Sequence, residues 1–196
     1  MQNIALFASG SGSNAENIIR FFHQHNSIKV SCLLSNNPKA YALERAKNLN
    51  IRTYLFDKKD FYESNKVLDI LKEEQTDWIV LAGFLWLVPE NVLHHYPQRI
   101  INIHPALLPN FGGKGMYGQR VHQAVWEAKL QETGITIHFA NAHYDEGAVI
   151  FQAKTKIEPT DSPEHIAEKV HQLEYEFFPK VIEKTLLSVE PIRGDQ

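Results

Sequence analysis

The sequence predicts an α/β fold, a doubly wound, mostly parallel twisted sheet closed by a long C-terminal helix. Three observations predict it. Short, wholly apolar runs at residues 4–8 and 78–82 read as strands buried on both faces, as parallel sheets require. Segments with apolar residues at helical spacing separate such runs, so that strand and helix alternate five times before His104. From Pro163 to about Thr185, Ile166, Val170, Leu173, Phe177 and Val181 form one stripe of a long amphipathic helix.

Each element follows from local chemistry. The first strand ends in Ser9-Gly-Ser-Gly-Ser-Asn14, a glycine-rich turn into a helix over 15–24 that carries Ile18, Ile19 and Phe22. A second strand over 28–35 is closed by Asn36-Asn37-Pro38 and followed by a helix over 41–49 and a strand over 53–56. Residues 65–74 place Val67, Leu68 and Leu71 on one helix side, and Gly83 breaks the strand over 78–82. Pro89, with its preset φ and no N–H, suits the first turn of a helix reaching about His95. The apolar Ile100-Ile101 pair opens a strand that runs into Asn102-Ile103-His104-Pro105. The loop beyond holds four of the ten glycines, Gly112, Gly113, Gly115 and Gly118, and is expected to move as a lid over 110–120. A helix over 121–128, strands over 134–139 and 148–156, and the long helix complete the chain. With no repeat, low-complexity tract or linker, residues 1–196 are expected to form a single domain.

Composition narrows the class. At 43% hydrophobic and net charge −3, the chain gives no electrostatic reason to expect nucleic acid or an anionic membrane as partner. Cys32 is the sole cysteine, so no intrachain disulfide forms; inside its apolar run it reads as an inert buried thiol. No leader-like segment opens the chain and no apolar run is of membrane-spanning length, so a soluble cytoplasmic protein is expected.

Two motifs carry chemistry. Gly10-Ser11-Gly12-Ser13-Asn14 lets the backbone turn tightly ahead of a helix N-terminus, where free N–H groups favour a phosphate. No Gly-Lys-Ser/Thr follows, so it is not a Walker loop. It matches the loose dinucleotide fingerprint, yet the second strand ends in Ser35-Asn36-Asn37 rather than an acid, which argues against a nicotinamide cofactor. Serine and asparagine suit a monophosphate and adjacent hydroxyls; the plainer alternative is a turn that only links strand to helix. In the second motif, strand alternation puts Asn102 and His104 on one face. An amide donor and a titratable ring there suit a tetrahedral oxyanion, each such donor being worth about 3 kcal/mol in the transition state. Asp145, in Tyr144-Asp145-Glu146-Gly147, is expected to hold His104 and raise its pKa, making it a general acid. Taken singly, each residue also has an ordinary structural use, in a loop tie, before a proline or in a turn. The spacing, with a phosphate turn elsewhere, favours catalysis. No G-x-S-x-G elbow marks a serine hydrolase. His104, His138 and His143 lack metal-ligand spacing, so no metal is expected.

Ser9-Gly-Ser-Gly-Ser-Asn14, Leu81-Ala-Gly-Phe84, Asn102-Ile-His-Pro-Ala-Leu-Leu-Pro109 and Asp145-Glu-Gly, in that order from Ile4 to about Val181, resemble the phosphoribosylglycinamide formyltransferases. These are folate-dependent enzymes of purine biosynthesis with a Rossmann-like formyltransferase fold. The resemblance implies that the amine of glycinamide ribonucleotide attacks the formyl carbon of 10-formyltetrahydrofolate, with no metal and no covalent enzyme intermediate. It implies catalytic roles for Asn102, His104 and Asp145, with Asp145 keeping His104 charged. Gly12, Ser13 and Asn14 match the ribonucleotide-phosphate turn, and Glu174 the carboxylate holding the ribose, with His171 one helical turn before it. Leu85, Trp86, Leu87 and Val88 match the folate-pocket segment, and Ala140 and Asn141, with Asp145, the loop cupping the pterin. Asn102 also reaches the folate in the family, and Lys59 aligns near the position that meets its glutamate tail. Trp86 stands where bacterial members often carry arginine, and His171 where glutamine is usual. The implied partners are these two small molecules, with the chain a monomer or homodimer. Two rival readings remain: a formyltetrahydrofolate deformylase-like hydrolase with the same three residues, and a catalytically silent nucleotide-binding protein.

Overall fold

The computed structural model describes residues 1–189. The elements run β1 (Gln2–Phe7), α1 (Ser13–Phe22), β2 (Ile28–Ser35), α2 (Tyr41–Asn48), β3 (Arg52–Leu55), α3 (Lys58–Tyr62) and α4 (Lys66–Glu73). They continue through β4 (Trp78–Leu81), α5 (Glu90–His95), β5 (Ile100–His104), α6 (Gln119–Glu127), β6 (Glu132–Phe139), β7 (Val149–Lys156) and α7 (Pro163–Ser188). The strands form one seven-stranded sheet in the order β3-β2-β1-β4-β5-β6-β7. Its first five strands are parallel and β6 and β7 join antiparallel. The expected doubly wound architecture is therefore present, with the chain reversing its direction of travel across the sheet between β1 and β4. In such sheets a crevice opens beyond the carboxyl ends of the strands at that switch point.

Both sheet faces are covered, which is why the central strands are apolar throughout. On one face α1, α2 and α7 pack Ile18, Phe22, Ala46, Phe178 and Ile182 onto Ile4, Leu6 and Val80. On the other, Phe7, Phe56, Phe61, Leu71 and Ile79 form a second core under α4 and α5. Cys32 is fully buried there, and burial pushes its thiol up to about 12.

Differences from the sequence expectations are local. Helix α3 was not expected; it is one and a half turns long and starts from a capping box in which Asp57 and Asp60 each accept the other's backbone N–H. Pro89 caps α5 rather than opening its first turn. Helix α7 buries Phe178 rather than Phe177: its buried positions Ile166, Val170, Glu174, Phe178, Ile182 and Leu186 recur every four residues, longer than the 3.6-residue turn, so the buried stripe drifts around the helix. Phe177 instead lies half-buried on Phe151, ring centroids 5.1 Å apart. The C-terminal segment from residue 190 onward lies outside the described residues.

Candidate active site

The loops after β1, β4 and β5 meet at the switch point around a cleft of about 650 Å³. Fourteen of the fifteen residues singled out in the sequence line it: Gly12, Ser13 and Asn14 from the first turn, Leu85, Trp86, Leu87 and Val88 after β4, Asn102 and His104 at the end of β5, Ala140, Asn141 and Asp145 after β6, and His171 and Glu174 on α7. Lys59 does not; it is exposed on α3, and its neighbour Lys58 places Nζ 5.9 Å from the centroid of the Trp86 ring. The helix that separates the two lysines by a third of a turn was missed in the sequence, and with it the choice between them.

Strand pairing explains the centre of the cleft. Asn102 of β5 sits directly opposite His138 of β6. Its Nδ2 lies 3.0 Å from His138 Nε2 and 3.5 Å from Asp145 Oδ1. His138 Nδ1 is 2.9 Å from the Phe139 carbonyl, an acceptor only, so in the neutral ring Nδ1 carries the hydrogen and Nε2 accepts from Asn102. His138 is thus a fourth member of the group. It was passed over in the sequence as a metal candidate without spacing; Thr136-Ile-His138 alternation gave its face but not its partner.

His104 is buried, 3% exposed, with Nε2 donating to the Phe111 carbonyl at 2.8 Å and Nδ1 3.4 Å from Asp145 Oδ2. Phe111 and Asp145 both have left-handed backbones, φ 56° and 59°, a conformation that costs non-glycine residues energy and here turns both groups toward one ring. The expected pairing of Asp145 with His104 is present, but the expected upward pKa shift is not. Burial, which penalises the charged ring, outweighs the pull of Asp145 and the Phe111 carbonyl and holds His104 below the ordinary imidazole value. For Asp145 burial is likewise the largest influence and acts upward, but His138, His104 and the Gly113 N–H, 3.0 Å from Oδ2, together bring its carboxyl below the usual range. Gly147 keeps this loop against β6: a Cβ there would sit 1.6 Å from the Phe139 carbonyl oxygen.

At the other end of the cleft, Gly12 has φ 73° and its Cα packs on Ala42 of α2, where a Cβ would come within 2.4 Å. No side chain caps α1, which leaves the first amides of the helix open to an anion. Glu174, 4% exposed, accepts from Asn14 Nδ2 at 2.9 Å and pairs with His171 Nδ1 at 2.8 Å. His122 of α6, which the sequence did not single out, also lines this end. It is buried and its Nδ1, like Oδ1 of Asn14, makes no hydrogen bond within the protein. Among the described residues, no cluster of His, Cys, Asp and Glu is arranged to hold a metal ion, and no helix is long and apolar enough to cross a membrane.

A helix N-terminus open to an anion and an amide–imidazole–carboxylate group with its imidazole buried line one cleft on a doubly wound sheet, the arrangement of a group-transfer enzyme. The chain belongs to the formyl transferase family, whose profile matches residues 2–182. It is 35% identical over 187 residues to the phosphoribosylglycinamide formyltransferase of Haemophilus influenzae, covering 93% of this chain and 86% of that protein. It is 36% identical over 191 residues to the chloroplastic phosphoribosylglycinamide formyltransferase of Arabidopsis thaliana, covering 92% of this chain but only 64% of that protein's length. The crystal structure of phosphoribosylglycinamide formyltransferase from Bacillus halodurans superposes with a TM-score of 0.87 at 34% identity, covering 99% of this chain and all of that one.

Proposed function

We propose that the chain transfers the formyl group of 10-formyltetrahydrofolate to the amine of glycinamide ribonucleotide, giving N-formylglycinamide ribonucleotide and tetrahydrofolate. The observation that carries this is the shared cleft: an anion-ready turn at Gly12–Asn14 opens onto the same space as Asn102, His104 and Asp145. The ribonucleotide phosphate lies on the turn and its hydroxyls meet Glu174 and His171. The folate lies along residues 85–88, with its pterin against Ala140, Asn141 and the Asp145 loop.

The amine attacks the formyl carbon and the carbonyl oxygen becomes an oxyanion. Asn102 Nδ2 turns from His138 and Asp145 to donate to it, and His104 stabilises it as the proton-carrying partner. The new negative charge beside His104 favours the imidazolium, offsetting the burial that disfavours it in the free protein. Asp145 accepts the proton released by the attacking amine, directly or through water, and that proton passes on to the folate N10 as its bond to carbon breaks and the oxyanion collapses to the new formamide. No covalent bond to the protein forms and no metal enters a step.

The test is formyl transfer measured with 10-formyltetrahydrofolate in the presence and absence of glycinamide ribonucleotide. Tetrahydrofolate release that requires the ribonucleotide is expected. Formate released at the same rate without it would instead mark a deformylase.

A further inference from the structure

Four successive carbonyls of the phosphate turn are each bonded from outside the cleft. The Ser9 carbonyl accepts from Asn37 Nδ2 at 3.0 Å, Gly10 from the Ala42 N–H at 3.1 Å, Ser11 from Arg45 Nε at 2.9 Å and Gly12 from the Glu16 N–H at 2.9 Å. Three of the four donors come from α2 and the loop before it. Only one of them, Arg45, is a side chain with charge. The same guanidinium pairs with the Glu16 carboxylate, which Arg20 also holds at 2.7 Å, and it lies 4.9 Å from the centroid of the Tyr41 ring. Glu16 stands in the first turn of α1, close to where an anion would bind, and the two arginines keep its carboxyl below the usual range. Arg45 itself does not line the cleft.

We infer that Arg45 is the positioning residue of the phosphate turn: it turns the Ser11 carbonyl outward and screens Glu16, so that the turn presents amides and not oxygens or a bare carboxylate to the ribonucleotide phosphate. This rests on the function proposed above. Binding a dianion at a helix start needs the local backbone held in one geometry and any nearby negative charge offset. Arg45 supplies both with one planar group, Nε to the carbonyl and a terminal nitrogen to the carboxylate, a division a lysine ammonium cannot reproduce. The residue therefore acts on ribonucleotide affinity and leaves the formyl-transfer centre at Asn102 and His104 untouched.

The experiment compares the full chain with Arg45→Ala and Arg45→Lys. Arg45→Ala is expected to raise KM for glycinamide ribonucleotide about tenfold or more, the scale of one lost hydrogen bond to a charged donor, with kcat and KM for formyl folate within about twofold of the parent. Arg45→Lys, which keeps only the charge, is expected to recover part of that loss. An unchanged ribonucleotide KM in Arg45→Ala, a uniform decline of all constants alongside a lower Tm, or a lysine variant equal to the parent would each overturn the inference. The inference is read independently of turnover by the Tm shift that ribose 5-phosphate produces: the parent is expected to gain Tm and Arg45→Ala to gain less. If the parent shows that shift and Arg45→Ala a smaller one, but no ribonucleotide-dependent transfer occurs, the proposed function fails and the role of Arg45 stands; an equal shift in both would overturn that role.

Discussion

Asn102 and His138 face each other across neighbouring antiparallel strands, with Nδ2 3.0 Å from Nε2. The pair sets the resting state of the centre. With its Nδ1 hydrogen committed to the Phe139 carbonyl, His138 offers Asn102 only a lone pair, so Asn102 donates to it from Nδ2. In the proposed reaction Asn102 turns from this partner to the oxyanion, exchanging one hydrogen bond for another.

Replacing Asn102 by Ala removes this donor and strands His138 Nε2. A loss of kcat on the order of 10²–10³-fold is expected, with ribonucleotide KM little changed. Steady-state kinetics check it; a variant within about threefold of the parent would remove Asn102 from the chemistry.

Asp145→Asn keeps the shape of the side chain and an acceptor for the Gly113 N–H while removing the charge that faces His104 and His138. Turnover is expected to fall about 10²-fold or more while the circular dichroism spectrum and Tm stay near those of the parent. Undiminished turnover would show that the carboxylate has no part in proton transfer.

His122 gives a pH signature in stability. Burial, and then the neighbouring His171, push its pKa down from 6.5 to about 4. Between those values the unfolded chain binds a proton that the folded chain does not, so this contribution is complete above pH 6.5 and lost as pH falls toward about 4. The slope is at most about 1.4 kcal/mol per pH unit. His171 acts in the opposite sense, since Glu174 raises its pKa and its contribution is lost as pH rises. Denaturant unfolding of the parent and of His122→Gln across this range separates the two: the stability difference is expected to shift in favour of the variant as pH falls. A pH-independent difference would show that His122 titrates alike in both states.

Trp86 lines the cleft from an aromatic cluster, with ring centroids 6.0 Å from Phe56, 6.2 Å from Phe61, 6.1 Å from Tyr62 and 6.4 Å from Phe84. Trp86→Ala is expected to raise KM for formyl folate about tenfold and leave that for the ribonucleotide unchanged, because the aromatic surface lost belongs to the segment proposed to hold the folate. Equal changes in both constants would point to a general disturbance of the core behind it.

Much of this molecule was legible in one dimension. Alternation of buried strands and amphipathic helices is a local property, set by side-chain periodicity, and so the doubly wound sheet could be read from residues 1–104, with boundaries shifted and the short helix α3 missed. The same holds for Asn102 and His104, two residues apart in one strand, and for His171 and Glu174, one turn apart in one helix: short-range geometry brings each pair together. Tertiary structure alone decided the rest. That His138 meets Asn102 depends on the register of β5 against β6, which sequence periodicity does not specify. That Lys58 rather than Lys59 lies by Trp86 depends on a helix of five residues. The direction of the His104 pKa is the sharpest case: its carboxylate partner could be named from the sequence, but the depth of burial that outweighs that partner comes only from packing around the ring, summed over segments distant in the chain.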